Sequence, residues 1–275
     1  MKKTLLPLLL LLAFAEMALC QEKMEIEGAI IINNSEDASP TPGTIRFNPT
    51  TNDFEGWNSV AWVSLTGIQY EIGEMTDQDG NTYPTVTIGT QEWMATNLRT
   101  TTYRNGNPIV LIDNDAAGNT AWSTANYGAY AVYDTTGTGY PFDLERFGYL
   151  YNWYAVNDGR GLCPVGWHEP TDAEWTTLTD FLGAAAGGKM KETGTTHWIS
   201  PNTGATNESG FTGLPGGLRN TNGSFLNLGS YGYWWSSTES SSSNALYRYL
   251  SYFNDVVVRV INDKRLGFSV RCVRD

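Results

Sequence analysis

Histidine is almost missing from this chain of 275 residues: there are two, His168 and His197. That scarcity excludes a histidine-rich metal centre. Cysteine is equally sparse, with three residues, one of which, Cys20, sits in an N-terminal apolar segment. Beyond that segment no apolar run approaches the roughly 20 residues a membrane helix requires. Basic side chains are also few, with 17 Lys and Arg against 29 Asp and Glu for a net charge of −12. A surface of that sign repels phosphate backbones and anionic lipid, so nucleic acid is excluded as a partner. No Gly-x-Ser-x-Gly elbow is found, and no Ser/His/Asp order stands out for hydrolase chemistry.

What is abundant points elsewhere. The chain carries 29 Gly, 15 Tyr and 10 Trp, the composition of a turn-rich, aromatic-rich protein. Its opening, MKKTLLPLLLLLAFAEMALCQ, places two lysines before an apolar run of about a dozen residues, the length of a signal-peptide core. Residues 1–20 are therefore expected to be an export signal, giving a secreted, periplasmic or cell-surface protein that begins at Gln21. The alternative is a lipid anchor on Cys20, against which Leu19 argues, because a small residue normally precedes an acylated cysteine. With residues 1–20 removed, Cys163 and Cys272 are the remaining thiols, and in an oxidising compartment they most simply pair. The enclosed loop of roughly a hundred residues makes such a bond worth on the order of 4 to 5 kcal/mol in the loop-entropy model.

Residues 21–72 read as a small β-module and linker. Short β-prone runs, Ala29 to Ile32, Thr44 to Phe47 and Val60 to Leu65, alternate with Pro, Gly and Asn, which describes a β-meander. Roughly forty residues bury too little apolar surface to stand alone, so the module should lean on a neighbour or on copies of itself. Its pattern GTIRFNPTTNDFEGW…WVSL resembles small β-modules of bacterial surface proteins and phage tail fibres, which implies a homo-oligomer through this module.

Residues 73–275 form the larger domain. It opens with a turn at Asp79-Gly80-Asn81, a strand from Tyr83 to Ile88, a Gly-Thr turn and a second strand. Asp77, Asp79 and Asn81 have calcium-ligand chemistry, but the later carboxylate that a calcium loop needs is missing. Residues 103–150 read as loops with short strands. In HEPTDAEWTTLTDFLG, Thr171 is an N-cap and Glu174 completes a capping box, with Asp172 and Glu174 at the positive end of the helix dipole. Trp175, Leu178, Phe181 and Leu182 follow as one apolar stripe and Gly183 ends the helix. The carboxylates around His168 are thus explained by helix initiation. A zinc-protease motif would need a histidine where Asp172 stands. GAAAGGKM, residues 183–190, has the spacing of a phosphate loop, but Met190 replaces the magnesium-binding hydroxyl and a helix precedes it instead of a strand.

The blocks VTIGTQEWMATNLRT, GYLYNWYAVNDGRGLCPVGWHEPTDAEWTTLTDFLG, ETGTTHWISPNTGATNESGFTGLPGG, YGYWWSSTES and KRLGFSVRCVRD closely resemble the Fibrobacter succinogenes major paralogous domain of exported bacterial proteins, from about Asp77 to Asp275. That family is similar, more distantly, to the C-type-lectin-like fold and its formylglycine-generating-enzyme branch. The resemblance implies an α+β, strand- and loop-rich domain with one main helix near 172–182, and a helix cysteine joined to the final strand through Cys163 and Cys272. It carries no defined activity.

The expected role is a non-catalytic, secreted or cell-surface binding or adhesion module that presents an aromatic-rich face to a glycan, a protein or the cell wall. In an extended YGYWW segment Tyr233 and Trp235 face one side and Trp234 the other, so that either one set fills the core while the other lies nearer solvent, or all three are core. Arg219, Asn220, Asn222 and Arg248 would supply polar contacts. Calcium is the one cofactor the sequence leaves room for, on Asn254, Asp255, Asn262 and Asp263, although a hairpin explains these four residues more simply. The alternatives are an enzyme of the formylglycine-generating type, disfavoured because no free cysteine pair remains, and the structural head of an oligomeric surface fibre. A paired-carboxylate glycosidase would assemble only in space.

Overall fold

The computed structural model describes residues 44–48, 53–57, 62–65, 72–134 and 142–275. The expected signal, Cys20 and the run Ala29 to Ile32 lie outside the described residues. The chain divides into two compact units, residues 1–67 and 68–275. Among the described residues no helix is long and apolar enough to cross a membrane.

In the first unit β1 (Ile45–Asn48), β2 (Asp53–Trp57) and β3 (Trp62–Ser64) form an antiparallel meander in that order. Cross-strand pairs hold the register. Arg46 lies opposite Glu55 and pairs with it at 2.7 Å, while its guanidinium covers the Trp62 ring at 4.2 Å. Phe47 meets Phe54 and Trp57 meets Trp62 at centroid distances of 5.4 and 5.5 Å.

The second unit opens with β4 (Ile72–Thr76), β5 (Thr82–Ile88) and β6 (Gln91–Met94), joined as antiparallel hairpins. The first turn uses its carboxylates internally. Asp77 Oδ1 accepts from the Asp79 and Asn81 amides at 2.9 Å, and its Oδ2 accepts from the Tyr83 hydroxyl at 2.6 Å. Asp79 accepts from the Thr101 hydroxyl at 2.8 Å. Next come β7 (Val110–Leu111), α1 (Ala116–Thr124), β8 (Ala129–Ala131), α2 (Leu144–Phe147), β9 (Leu150–Tyr151), α3 (Trp153–Val156) and β10 (Trp167–His168). They are followed by α4 (Asp172–Leu182), α5 (Ala186–Met190), β11 (Gly216–Arg219), β12 (Phe225–Leu228), β13 (Tyr231–Glu239), β14 (Asn244–Ser251), β15 (Val258–Asp263) and β16 (Val273–Arg274). One five-stranded sheet runs β10-β16-β6-β5-β4 and the other β12-β11-β13-β14-β15, with a small β7-β8-β9 sheet beside them. The architecture is mixed α and β, mostly strand.

The expected main helix at 172–182 is the longest of five among the described residues. The longest addition, α1, arises where loops and short strands were expected. Asp115 caps it by accepting from the Gly118 amide at 2.6 Å, and Trp122 is its buried residue. A helix that buries one side chain leaves almost no apolar periodicity to read. The 172–182 helix has its capping box, with Thr171 Oγ1 accepting from the Glu174 amide at 3.2 Å and Glu174 Oε2 accepting from the Thr171 amide at 2.7 Å. Trp175, Leu178 and Leu182 are buried along it. Phe181 is not part of that stripe: it is 64% exposed, because it lies about 100° round the helix from Leu182. Its ring instead closes over Gly89, where a Cβ would approach it to 2.9 Å.

Two buried clusters sit on either side of β13. One gathers Trp93, Trp175, Trp198, Phe211 and Trp234 with Leu178 and Leu250. The other gathers Tyr151, Trp153, Tyr233, Trp235, Tyr247 and Phe268. Cys163 and Cys272 are joined, with Cα atoms 5.9 Å apart. Cys163 lies in the loop between α3 and β10, not on a helix, so the bond ties that loop to the chain end beside β16. Glu169 Oε1 fixes the same loop by accepting from the Leu162 and Cys163 amides at 2.8 and 2.7 Å. Arg104 donates to the Cys163 and Trp167 carbonyls at 2.8 Å each.

Candidate functional site

The aromatic strand β13 does alternate, but both of its sides are covered. Trp234 is 1% exposed; its Nε1 donates to Asn97 Oδ1 at 2.9 Å and its ring packs edge-on to Phe211. Trp235 is also 1% exposed, donating to the Tyr151 carbonyl at 2.8 Å and lying 4.5 Å from the Phe268 ring. Tyr233 is buried and stacks on Phe268 at 5.1 Å, its hydroxyl accepting from Asn227 Nδ2 at 2.8 Å. None of the three turns a free ring face to solvent. Of the two expectations, that one set lies nearer solvent is corrected, and all three side chains are core.

The polar candidates are also structural. Arg219 is fully buried, donating to the Gly223 and Asp113 carbonyls at 3.1 and 2.7 Å, with its guanidinium 4.5 Å from the Trp122 ring. Burial pushes its pKa down to about 10. Asn220 and Asn222 shape the β11–β12 turn: the Asn220 amide donates to the Ser224 carbonyl and Asn222 Oδ1 accepts from the Ser224 amide at 3.0 Å. Arg248 is buried against Asp172 Oδ1 at 2.7 Å. Asn254 and Asp255 lie before β15, where their carbonyls accept from Lys191 Nζ and the Gly188 amide. Asn262 and Asp263 close that strand, and Asp263 is paired with Arg265. At about 3.3 Å per residue the strand separates the two pairs by roughly 15 Å, too far for one ion. Among the described residues no group of three or more His, Cys, Asp and Glu could hold a metal ion.

An accessible aromatic surface lies one step away. β13 and β14 pair Tyr233 with Tyr249 and Trp235 with Tyr247, and β14 and β15 pair Tyr249 with Val258 and Tyr247 with Val260. Directly opposed residues share a face, so these side chains form one surface over the Phe268 cluster. Tyr231, Tyr249, Val260 and Leu218 are half-buried at its outer layer. Tyr231 is the hub: Tyr233 stacks on it at 5.8 Å, while Tyr249, Tyr252 and Phe253 meet it edge-on at 5.8, 6.5 and 6.1 Å. Phe253 is 51% exposed. Tyr247 bonds with Asn262, whereas the Tyr231 and Tyr249 hydroxyls have no hydrogen-bond partner among the described residues. Burial raises the pKa of Tyr231, Tyr233 and Tyr247, which keeps all three as neutral hydroxyls. The sequence did carry a signal for this surface, the alternation Tyr231/Tyr233 and Tyr247/Tyr249, but reading it required the register that aligns the two strands.

Residues 86–274 match the family model described as the Fibrobacter succinogenes major domain. The chain belongs to this family. Neither a comparison with curated proteins nor one with solved structures finds a match. Within the Fibrobacter succinogenes major domain fall the disulfide, the capping box and the whole tyrosine surface; β1 to β3 lie outside the match.

His168, flanked by carboxylates in the sequence, has a structural place in this domain. His168 bridges two carboxylates, with Nδ1 2.7 Å from Asp275 Oδ1 and Nε2 2.7 Å from Glu174 Oε1. Partial burial opposes its charge, but Glu174 and Asp275 outweigh that and raise its pKa above 6.5. A group whose folded pKa is raised stabilises fully below its unfolded value and loses that contribution as pH rises through the folded one. Unfolding free energy should therefore fall as pH rises above the ordinary histidine value of 6.5 in the native protein. His168→Gln should flatten that slope in urea titrations across the same range; an unchanged slope would remove the clamp from the account.

Proposed function

We propose that this protein is a non-catalytic, secreted or cell-surface binding and adhesion module whose recognition surface is the tyrosine face of β13, β14 and β15. The observation that carries the reading is the Tyr231 hub: four further aromatic rings gather on a half-exposed tyrosine. Flat aromatic rings give large contact area for little lost rotamer freedom and keep a polar tip for orientation. Such a surface suits a glycan, a protein or cell-wall material.

Both sulfurs of the second unit are fully buried in one disulfide, which leaves neither as a nucleophile or copper ligand and argues against cysteine-based oxidase chemistry. The same bond, together with the lysine-led apolar N-terminus, supports export. We take the domain as a divergent C-type-lectin-like fold, a reading that the loop-to-terminus disulfide and the strand-rich core favour. Tyr249→Ala is expected to weaken ligand capture about tenfold. The measurement is binding of labelled native and variant protein to an array of glycans, cell-wall fractions and surface proteins, with near-UV circular dichroism as the check on folding. Equal capture by a folded Tyr249→Ala variant, or no capture by either protein, sinks the reading.

A further inference from the structure

The charges around the tyrosine face restrict what it can hold. Strands β13, β14 and β15 carry four ionised side chains, and each is already paired. Glu239 pairs with Lys264, Asp263 with Arg265, and Arg248 and Arg259 both with Asp172. The two arginines lie opposite one another in register, one position out of step with the tyrosines, and so face the α4 side. The groups that perturb the Tyr231, Tyr233 and Tyr247 hydroxyls, besides burial, are other tyrosines and the amides of Asn227 and Asn262. Among the described residues of these three strands no unpaired cation waits for a phosphate, sulfate or uronate, and no unpaired carboxylate for an amine.

A net charge of −12 adds a long-range field that repels polyanions. Size restricts the choice further. A standard protein interface needs about 800 Å² on each partner, whereas a few half-exposed rings of roughly 150–250 Å² each offer only a few hundred. That area matches one or two sugar rings, whose C–H faces stack on aromatics and whose hydroxyls can meet the Tyr231 and Tyr249 hydroxyls.

We propose that the tyrosine face binds an uncharged polysaccharide, by ring stacking and hydroxyl hydrogen bonds, without a metal ion. The inference rests on the binding-module reading and names its ligand class.

The test is affinity electrophoresis of the full chain, Tyr231→Ala and Tyr231→Phe in gels containing dextran, mannan or a soluble β-glucan as uncharged probes. Polygalacturonate and heparin serve as anionic probes, each gel being run with and without EDTA. The native chain should be retarded by at least one uncharged polymer, equally with and without chelator. Tyr231→Ala should weaken retardation about tenfold, and Tyr231→Phe, which keeps the ring, should weaken it less. Retardation by the anionic polymers alone, or its loss in EDTA, overturns the ligand class while leaving a binding face. Retardation equal in all three proteins overturns the site. No retardation in any gel overturns the inference, and the array experiment then decides separately whether the face binds a protein.

Discussion

Alanine at both Cys163 and Cys272 should lower the unfolding free energy by about 4 to 5 kcal/mol. The bond closes a sequence separation of 109 residues, and the unfolded chain regains the entropy of that loop once it is opened. Most of the effect lies in the unfolded state, because the folded loop keeps its other anchors. Glu169 still holds the Leu162 and Cys163 amides, Arg104 still holds two carbonyls, and Met94 N still donates to the Cys272 carbonyl at 3.1 Å. The variant should therefore fold, with an unchanged near-UV spectrum at low denaturant. Urea titration of native, reduced and double-alanine proteins measures the difference, and an unchanged m-value would show that compactness is not what moved. A loss under about 1 kcal/mol would mean that the open form of the loop is already restrained without sulfur.

What was legible in the sequence was local. A capping box is four residues long, so Thr171 and Glu174 declare the start of α4 without help from the rest of the chain. Once Cys20 is assigned to the expected signal, two thiols leave one pairing. The unreadable parts depend on partners far away in sequence. Helix α1 is held from outside by Arg219, whose Nη2 reaches Asn119 Oδ1 at 3.1 Å across a hundred positions. Arginines read as surface residues, yet Arg219, Arg248 and Arg271 are all buried. Arg271 has no carboxylate partner among the described residues and is satisfied by Asn97 Oδ1 at 2.9 Å and by the Met94, Phe211 and Thr212 carbonyls. Alternation along β13 correctly separated Trp234 from Tyr233 and Trp235, but alternation cannot say that a second core covers the other side.

The second large effect comes from a residue the sequence assigned only to the helix dipole. Asp172→Asn should cost about 3 kcal/mol, because Asp172 is the counter-charge of two arginines as well as a first-turn carboxylate. Its Oδ1 lies 2.7 Å from Arg248 Nη1, and Arg259 approaches the same carboxylate through Nε at 2.9 Å and Nη2 at 3.0 Å. The two partners are not equivalent. The Arg248 side chain is 4% exposed and cannot turn to water, whereas Arg259 is 54% exposed and can. Removing one member of a buried pair costs roughly 3–5 kcal/mol, and the lower end applies because Asp172 itself is 21% exposed. Arg259→Ala should therefore cost under about 1 kcal/mol. Acid gives a second readout. Partial burial would raise the Asp172 pKa, but Arg259 and Arg248 outweigh it and hold the pKa below 3.8. A depressed carboxyl stabilises fully above its unfolded value and loses that contribution as pH falls through the folded one. The native protein should thus lose stability below about pH 4 more steeply than Asp172→Asn does. Adding Arg248→Met to Asp172→Asn removes the stranded charge and should recover part of the loss. If Asp172→Asn unfolds within about half a kcal/mol of the native protein, Arg248 is solvated in a way its burial denies, and α4 is held by the buried cluster that Trp175 and Leu178 share with Leu250 rather than by the ion pair.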